Sequence, residues 1–299
     1  YDALNANTTG HSNTALGKDA LKFNTTANYN VAIGALCLDA NTTGGDNTAA
    51  GVSALGKNTT ASNNTAFGRA SLALDAATTA DDNAAIGYQA LSATTTGSYN
   101  TAVGKNAMVN NTTGGLNVAI GVNAMANVTT ANHNVAVGAN TSNQNQTGTH
   151  NTALGSYTLQ ANTTNYQTAI GAYALNATTT GGNNTGVGFY ALLSNTTGAD
   201  NTAVGAYSLD ANTTGTLNTA VGRNALGANT TGEKNVAVGG NALLSNVTGE
   251  SNTAVGYNAL DANIADNNTA VGYHSMLVST TGNTNTAVGN ETLETNSTG

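Results

Sequence analysis

Four histidines are the side chains of this 299-residue chain best suited to acid–base chemistry or metal binding. His11, His133, His150 and His274 lie far apart in the sequence, without the paired spacing of a zinc site. No serine or threonine has a histidine–carboxylate pair positioned to activate it, and no glycine-rich stretch continues into the Lys-Ser/Thr of a phosphate loop. We therefore predict no catalytic residue, no metal ligand, no cofactor and no enzymatic activity.

Carboxylates and the single thiol lead to the same prediction. Asp39, Asp75, Asp210 and Asp261 share one corner of a repeated unit, but most copies of the unit lack a carboxylate there. The glycine–aspartate calcium motif of other solenoids is also missing, which argues against a calcium site. Cys37 occupies a position that holds Ala, Ser or Thr elsewhere, so we expect a small buried side chain rather than a reactive thiol.

Tyrosine and asparagine supply the remaining candidates for binding or modification. Tyr157, Tyr173, Tyr190 and Tyr207 occupy equivalent positions in four consecutive repeats and should stack as an aromatic column. The column either stabilises the fold or offers a stripe to a glycan or a neighbouring filament. Asn-x-Thr/Ser sequons arise from the repeat itself, and we expect them on exposed turns that would permit glycans. Among them are the sequons at Asn7, Asn24, Asn41, Asn58, Asn162, Asn195, Asn212, Asn229 and Asn246.

Composition excludes two classes of partner. The chain has 7 Lys and Arg against 15 Asp and Glu, so the basic stripe that phosphate backbones require is absent and we predict no nucleic-acid binding. No apolar run approaches the roughly 18 residues of a membrane-spanning helix, so we predict no membrane insertion.

A phrase like Asn-Thr-Ala-Val-Gly returns seventeen times, and it determines the expected fold. Thirteen of the sixteen intervals between its glycines are 17 residues, two are 16 and one is 19. A short fixed period indicates one structural unit stacked on itself. The glycines are Gly17, Gly34, Gly51, Gly68, Gly87, Gly104, Gly121, Gly138, Gly155, Gly171, Gly188, Gly205, Gly222, Gly239, Gly256, Gly272 and Gly289.

We number the repeat from its first Asn, so that the glycine stands at position 5. Position 1 is Asn in sixteen copies and Gln167 in the other, position 3 is Ala except at Gly186, position 4 is always apolar, and position 9 is Leu or Met except at Ser142. Frequent Gly and Asn and the absence of a 3.6-residue stripe argue against helices. We predict an all-β fold: a single-chain parallel β-solenoid, or β-roll, of about 17 rungs of 17 residues, forming one continuous array over residues 1–299.

Strand alternation then assigns side chains to faces. We expect positions 2 and 4 to point inward with the position 9 Leu and the small position 8 residue, and positions 1, 3 and 5 to point outward. The Ala at position 3 would then mark either a face packed against a neighbour or a tight bend. The glycine at position 5 would serve either a positive φ or a close backbone approach.

Three further expectations concern the turns. Position 1 Asn side chains should form an amide ladder. The Thr-Thr-Gly segments should be turns with permissive glycine dihedrals at Gly10, Gly44, Gly97, Gly114, Gly198 and Gly215. The 19-residue interval should be a two-residue bulge around 73–75. Tyr1 and Gly299 both fall inside a repeat without an atypical capping unit, so we expect the sequence to be a window of a longer chain or its ends to be covered.

The repeated phrases resemble those of known surface proteins. Asn252 to Leu260 (Asn-Thr-Ala-Val-Gly-Tyr-Asn-Ala-Leu) and Asn212 to Gly215 resemble repeats of bacterial and phage tail-fibre-like β-solenoid proteins. Asn117 to Gly121 (Asn-Val-Ala-Ile-Gly) more distantly resembles the head repeats of trimeric autotransporter adhesins, which are left-handed parallel β-rolls. The resemblance implies a surface-exposed β-solenoid.

These observations lead to a functional expectation. We predict a structural, non-enzymatic extracellular or cell-surface filament subunit that self-associates end to end or laterally, in an amyloid-like manner, through stacked β rungs. The alternative is an adhesin or phage tail-fibre shaft or head, on a cell surface or a virion, that binds a surface glycan or receptor. A minor alternative is ice binding, disfavoured because the paired Thr are expected side by side in a turn rather than alternating on a strand.

Overall fold

The computed structural model describes residues 1–73 and 79–295. The residues group into two compact units, Tyr1–His150 and Asn151–Gly299, and each is a parallel β-solenoid. The described residues contain no helix. The predicted fold class is therefore confirmed, while the continuity of the array across residues 150 and 151 stays a prediction.

Each repeat contributes one three-residue strand at positions 2 to 4. The first unit contains β1 (Thr14–Leu16), β2 (Val31–Ile33), β3 (Thr48–Ala50), β4 (Thr65–Phe67), β5 (Ala84–Ile86), β6 (Thr101–Val103), β7 (Val118–Ile120) and β8 (Val135–Val137). The second contains β9 (Thr152–Leu154), β10 (Thr168–Ile170), β11 (Thr185–Val187), β12 (Thr202–Val204), β13 (Thr219–Val221), β14 (Val236–Val238), β15 (Thr253–Val255), β16 (Thr269–Val271) and β17 (Thr286–Val288).

Strand pairing is parallel and in register with the repeat. Thr14 pairs with Val31 in the first unit, and Thr168 pairs with Thr185 in the second. Equivalent positions of neighbouring repeats therefore lie directly above one another. The interval of 19 residues was predicted to bulge around 73–75; residues 74–78, including Asp75, lie outside the described part of the chain.

The predicted facing of the strand is wrong. Ala at position 3 is buried, for example Ala32 and Ala203 at 0% exposure, whereas positions 2 and 4 point outward. The reason is a narrow interior: a Cβ added to Gly186 would lie 3.3 Å from Cγ of Leu175, the position 9 side chain of the preceding repeat. Only a methyl group fits opposite that Leu, so neither packing against a neighbour nor a tight bend explains the Ala. Burial at positions 8 and 9, such as Ala20 and Leu21, is confirmed.

Both proposed reasons for glycine at position 5, a positive φ and a close backbone approach, apply. Gly17 has a φ of 139°, and a Cβ there would lie 2.5 Å from the carbonyl oxygen of Gly34. The permissive dihedrals predicted for the Thr-Thr-Gly glycines are wrong, because none of those six has a positive φ. A Cβ on Gly198 would instead approach the Gly215 carbonyl oxygen to 2.5 Å, so close stacking of the turns favours glycine there.

Three other positions adopt left-handed backbone that the sequence did not reveal. Positions 7, 9 and 17 have φ near +55°, as in Asp19 (58°), Leu21 (51°) and Tyr29 (59°). Such a conformation costs a non-glycine residue about 1–3 kcal/mol. At position 9 the cost is offset by full burial of the Leu and by bonds between turns, such as Leu21 N–H to the Cys37 carbonyl at 3.0 Å.

Buried asparagines join successive turns, and the amide ladder predicted at position 1 is present in part of the first unit, where Asn117 Nδ2 donates to Asn100 Oδ1 at 3.1 Å. At position 1, Asn30 donates its backbone N–H to Oδ1 of Asn13 and its side-chain Nδ2 to the Gly44 carbonyl, at 2.9 and 3.0 Å. A second ladder of side-chain amides lies at position 12, where Asn41 Nδ2 donates to Asn24 Oδ1 at 3.0 Å, and Val128 is one of the residues that interrupt it. The polar core thus combines bonds between turns with bonds within a turn.

Candidate interaction surface

The structure brings two of the four histidines, His133 and His150, together and leaves the other two apart. His11 packs edge-on against Tyr29, with ring centroids 5.3 Å apart, and His133 stacks on His150 at 4.8 Å. His274 stacks on Tyr273, at 3.8 Å. Within residues 1–73 and 79–295, no group of three His, Cys, Asp or Glu is arranged to hold a metal ion.

Three of the corner aspartates are half-buried carboxylates in different repeats. Desolvation raises the pKa of Asp39, Asp210 and Asp261, and the charge of His274 opposes the rise at Asp261. Asp39 also lines an open cavity of about 210 Å³ together with Gly56. The cavity forms where Gly56 contributes no side chain, and its wall has no catalytic pair among the described residues.

Cys37 is a buried thiol, as predicted. It is 0% exposed, and its Sγ donates to the Ala49 carbonyl at 3.3 Å. Burial raises the pKa of the Cys37 thiol to about 11. The side chain is therefore protonated at neutral pH and fills the space that Ala fills elsewhere.

The prediction of exposed sequons is wrong. Eight of the nine sequon asparagines named above are 0% exposed, and Asn7 is half-buried. Their Nδ2 atoms donate to the carbonyl two or three residues later, as Asn41 does to Gly44 at 2.9 Å and Asn162 to Thr164 at 2.9 Å. The atom that would carry a glycan is thus buried and bonded in the folded chain.

The predicted tyrosine column is present in the second unit. Tyr157 and Tyr173 are stacked, with centroids 5.2 Å apart and an interplanar angle of 5°, and Tyr190 and Tyr207 continue the column with tilted rings. Phe189 lies against Tyr190 at 3.9 Å. Only the Tyr157–Tyr173 pair stacks face to face, so the column is less regular than the sequence predicts.

A regular surface is formed by the outer face of the strands, which we call the Thr/Val face. It consists of repeat positions 2 and 4. Position 2 is Thr in twelve repeats, Val in four and Ala84 in one, and position 4 is Val, Ile, Leu, Phe67 or Ala50. The position 4 side chains are well exposed, for example Ile33 at 43% and Val204 at 37%. The face carries no charged or amide side chain at any of its 34 positions.

The hydroxyl groups of this face are not used by the fold. In the described structure, the position 2 Thr side chains make no hydrogen bond to the protein. The Thr of position 13 behaves differently: Thr42 Oγ1 donates to the carbonyl of Thr59, one repeat later, at 2.9 Å. Val replaces Thr freely at position 2, so the shared feature is the β-branched shape rather than the hydroxyl.

Neighbouring outward positions vary much more. Position 6 holds Lys18, Val52, Tyr88 and Phe189 in different repeats, and position 17 holds Asp46 and others. Strand propensity favours β-branched residues at positions 2 and 4 but does not exclude Lys, Glu or Gln. The uniformity of the Thr/Val face therefore calls for a further cause.

Sequence reasoning missed this surface because it placed positions 2 and 4 inside. Two signals in the sequence could have found it. The residue at position 3 is never larger than Ala, which indicates a confined interior. Thr and Val exchange at position 2, which indicates an outward site where a hydroxyl needs no protein partner. No helix among the described residues has the length and apolarity needed to cross a membrane. No protein-family model matches this chain, and no curated protein matches it.

Proposed function

We propose that the protein is a structural, non-enzymatic subunit of an extracellular filament or fibre, which assembles by axial stacking of β-solenoid rungs. The observation that carries the proposal is the in-register pairing of equivalent positions, as in Thr202 with Thr219. Because the repeats are alike, the backbone N–H and C=O groups on one side of a turn match those on the opposite side of any other turn. An edge turn is therefore a template for an incoming turn.

The distribution of chemistry supports the same proposal. Among the described residues its histidines, half-buried aspartates and thiol form no group of three that could hold a metal ion, and many hydrogen bonds of the core run between turns. Cohesion is thus concentrated along the direction of stacking, which suits a load-bearing or scaffolding element.

Electron microscopy of the purified chain over a concentration series tests the proposal. We expect filaments whose mean length grows with concentration and whose diffraction shows the spacing of about 4.8 Å between rungs. Discrete short particles at every concentration would contradict axial assembly.

Ice binding is a second candidate, because one observation now favours it. Thr at position 2 alternates with an apolar residue at position 4 on an outward strand face, as in Thr202 and Val204. The reason for disfavouring it, Thr confined to turns, therefore does not apply to this face. Thermal hysteresis and ice-recrystallisation measurements on the wild-type chain test it, and the absence of both activities would dispose of it.

A further inference from the structure

We propose that the Thr/Val face is a lateral docking surface for the Thr/Val face of a second copy of this chain. The proposal rests on the proposed filament function in one respect, that the chain self-associates. It adds a second, sideways contact to the axial one and assigns it to named residues.

The chemistry of the face is that of a dry sheet-to-sheet contact. Two sheets that pack face to face lie about 10 Å apart, and their side chains must interdigitate without burying an unpaired charge. The Thr/Val face provides short β-branched side chains in straight columns with no charge. Its Thr hydroxyls have no partner within the protein, so they are free to pair across an interface.

The spacing of the rungs indicates which partner fits the Thr/Val face. Each position 4 side chain stands one rung, about 4.8 Å, from the next, so a partner that seats a side chain between successive rungs must have the same spacing. A second copy has this spacing throughout, and a self-complementary patch is what a two-fold interface requires. The mainly polar residues of position 17 then form a rim on one side of such an interface, and the mixed residues of position 6 border the other side.

The area of the face fits a weak lateral contact. A unit of eight or nine rungs presents a strip about 40 Å long and about 10 Å wide, which is about 400 Å². Two such strips, one from each copy, bury about 800 Å² in total, the size of a weak interface, so we expect pairing to depend on protein concentration.

Adding positive charge to the face gives the first test. The triple variant Val221→Lys, Val238→Lys and Val255→Lys places three cations in adjacent rungs at positions that are 36–37% exposed. The matched control, Thr214→Lys, Thr231→Lys and Thr248→Lys, adds the same charge at exposed turn residues of position 14. Sedimentation velocity should give paired copies for the wild type and the control and single copies for the face variant. Unpaired wild type at all concentrations, or equal pairing of the face variant, would overturn the proposal.

Cysteine labelling gives a second test with smaller side chains. In a Cys37→Ala background, Val221→Cys should react with a maleimide at least tenfold more slowly in the assembled protein than Thr231→Cys. Equal labelling rates of the two cysteines in the assembly would show an open face and refute lateral docking.

Filament width separates this proposal from the axial one. If both hold, the wild type forms filaments two solenoids wide and the triple face variant forms filaments one solenoid wide. If only lateral docking holds, the wild type gives side-by-side pairs that do not lengthen with concentration. If only axial stacking holds, both proteins form filaments of single width, which would overturn lateral docking alone.

Discussion

Asn41 Nδ2 donates a 3.0 Å hydrogen bond to Oδ1 of Asn24, and both amides are completely buried. The same Nδ2 also donates to the Gly44 carbonyl, and Asn58 in turn donates to Asn41. The column at position 12 therefore connects turns through groups that have no access to water. Removal of one amide leaves its neighbours unsatisfied.

We predict that Asn41→Ala lowers the free energy of unfolding by about 2–4 kcal/mol, because at least two buried polar groups lose their partners. Urea unfolding measures the change. The control is Asn110→Ala, which removes an amide–amide bond of the same 3.0 Å length to Asn127 at an exposed site. We expect that change to stay below about 0.5 kcal/mol. Equal losses in the two variants would contradict the role of burial.

The column is interrupted where Val128 replaces the Asn. Asn111 Oδ1, one repeat earlier, is buried without a hydrogen-bond partner, and Val128 is 0% exposed. We predict that Val128→Asn supplies the missing donor and raises the free energy of unfolding by about 1 kcal/mol. Val247→Asn, at an exposed position, is the control and should leave the urea midpoint unchanged. A lower midpoint for Val128→Asn would show that the Val packing outweighs the amide bond.

Glycine at position 5 should be irreplaceable. Gly205 has a φ of 138°, and an added Cβ would lie 2.5 Å from the Gly222 carbonyl oxygen. Gly205→Ala should destabilise the second unit by more than about 2 kcal/mol, from backbone strain together with the clash. Gly182→Ala is the matched control, because its Cβ would meet only ordinary contacts at 3.6 Å and beyond. Thermal unfolding of the two variants should separate clearly, and coincident midpoints would refute the assignment.

The buried sequons should resist glycosylation after folding. We predict that an oligosaccharyltransferase adds no glycan to the folded chain at Asn24, Asn41 or Asn212, because their Nδ2 atoms are buried and bonded. Peptide-mapping mass spectrometry measures occupancy at each asparagine. The unfolded chain, and a sequon appended after residue 299, should both be modified under the same conditions. Glycans at Asn24, Asn41 or Asn212 of the folded chain would mean that the position 12 column opens readily.

Acidification should stabilise the folded chain through protonation of the half-buried aspartates. Desolvation raises the pKa of Asp210 in the folded state above its ordinary value, so the folded chain binds this proton more tightly than the unfolded chain. The resulting stability is fully present below the unfolded pKa of about 3.8 and is lost as pH rises through the folded pKa. Asp210→Asn should therefore raise the unfolding midpoint at pH 7 and leave it unchanged at pH 3. Asp46→Asn, at an exposed turn, should show no such dependence on pH.

Periodicity was sufficient to predict the solenoid, because a short repeat of nearly constant length with one strand-forming segment has few ways to bury its apolar groups. It also predicted the buried Leu21 and Cys37. The facing of the strand was not predictable from alternation alone, since Thr14 and Ala15 exchange faces if the pattern shifts by one residue. The width of the solenoid interior decides between the two facings. That width is seen only in the structure, where Leu175 lies opposite Gly186.

The left-handed residues and the amide column were missed for a different reason. Leu21 has no sequence signature for a φ of 51°, because Leu is selected there for its volume rather than its backbone preference. Asn24 was interpreted as a turn residue, which its type favours, and its burial follows only from the stacking of the next turn upon it.

The hydrogen bonds between turns also bear on how the chain folds. In the described chain they join residues 12 to 20 apart, as Leu21 does with Cys37 and Asn41 with Asn24. A 299-residue protein held together in this way has a relative contact order of roughly 0.06, below the range of ordinary β proteins. Each loop that must close is short, so folding can begin in any few adjacent repeats and zip outward, and the chain escapes the slow search that parallel sheets usually impose.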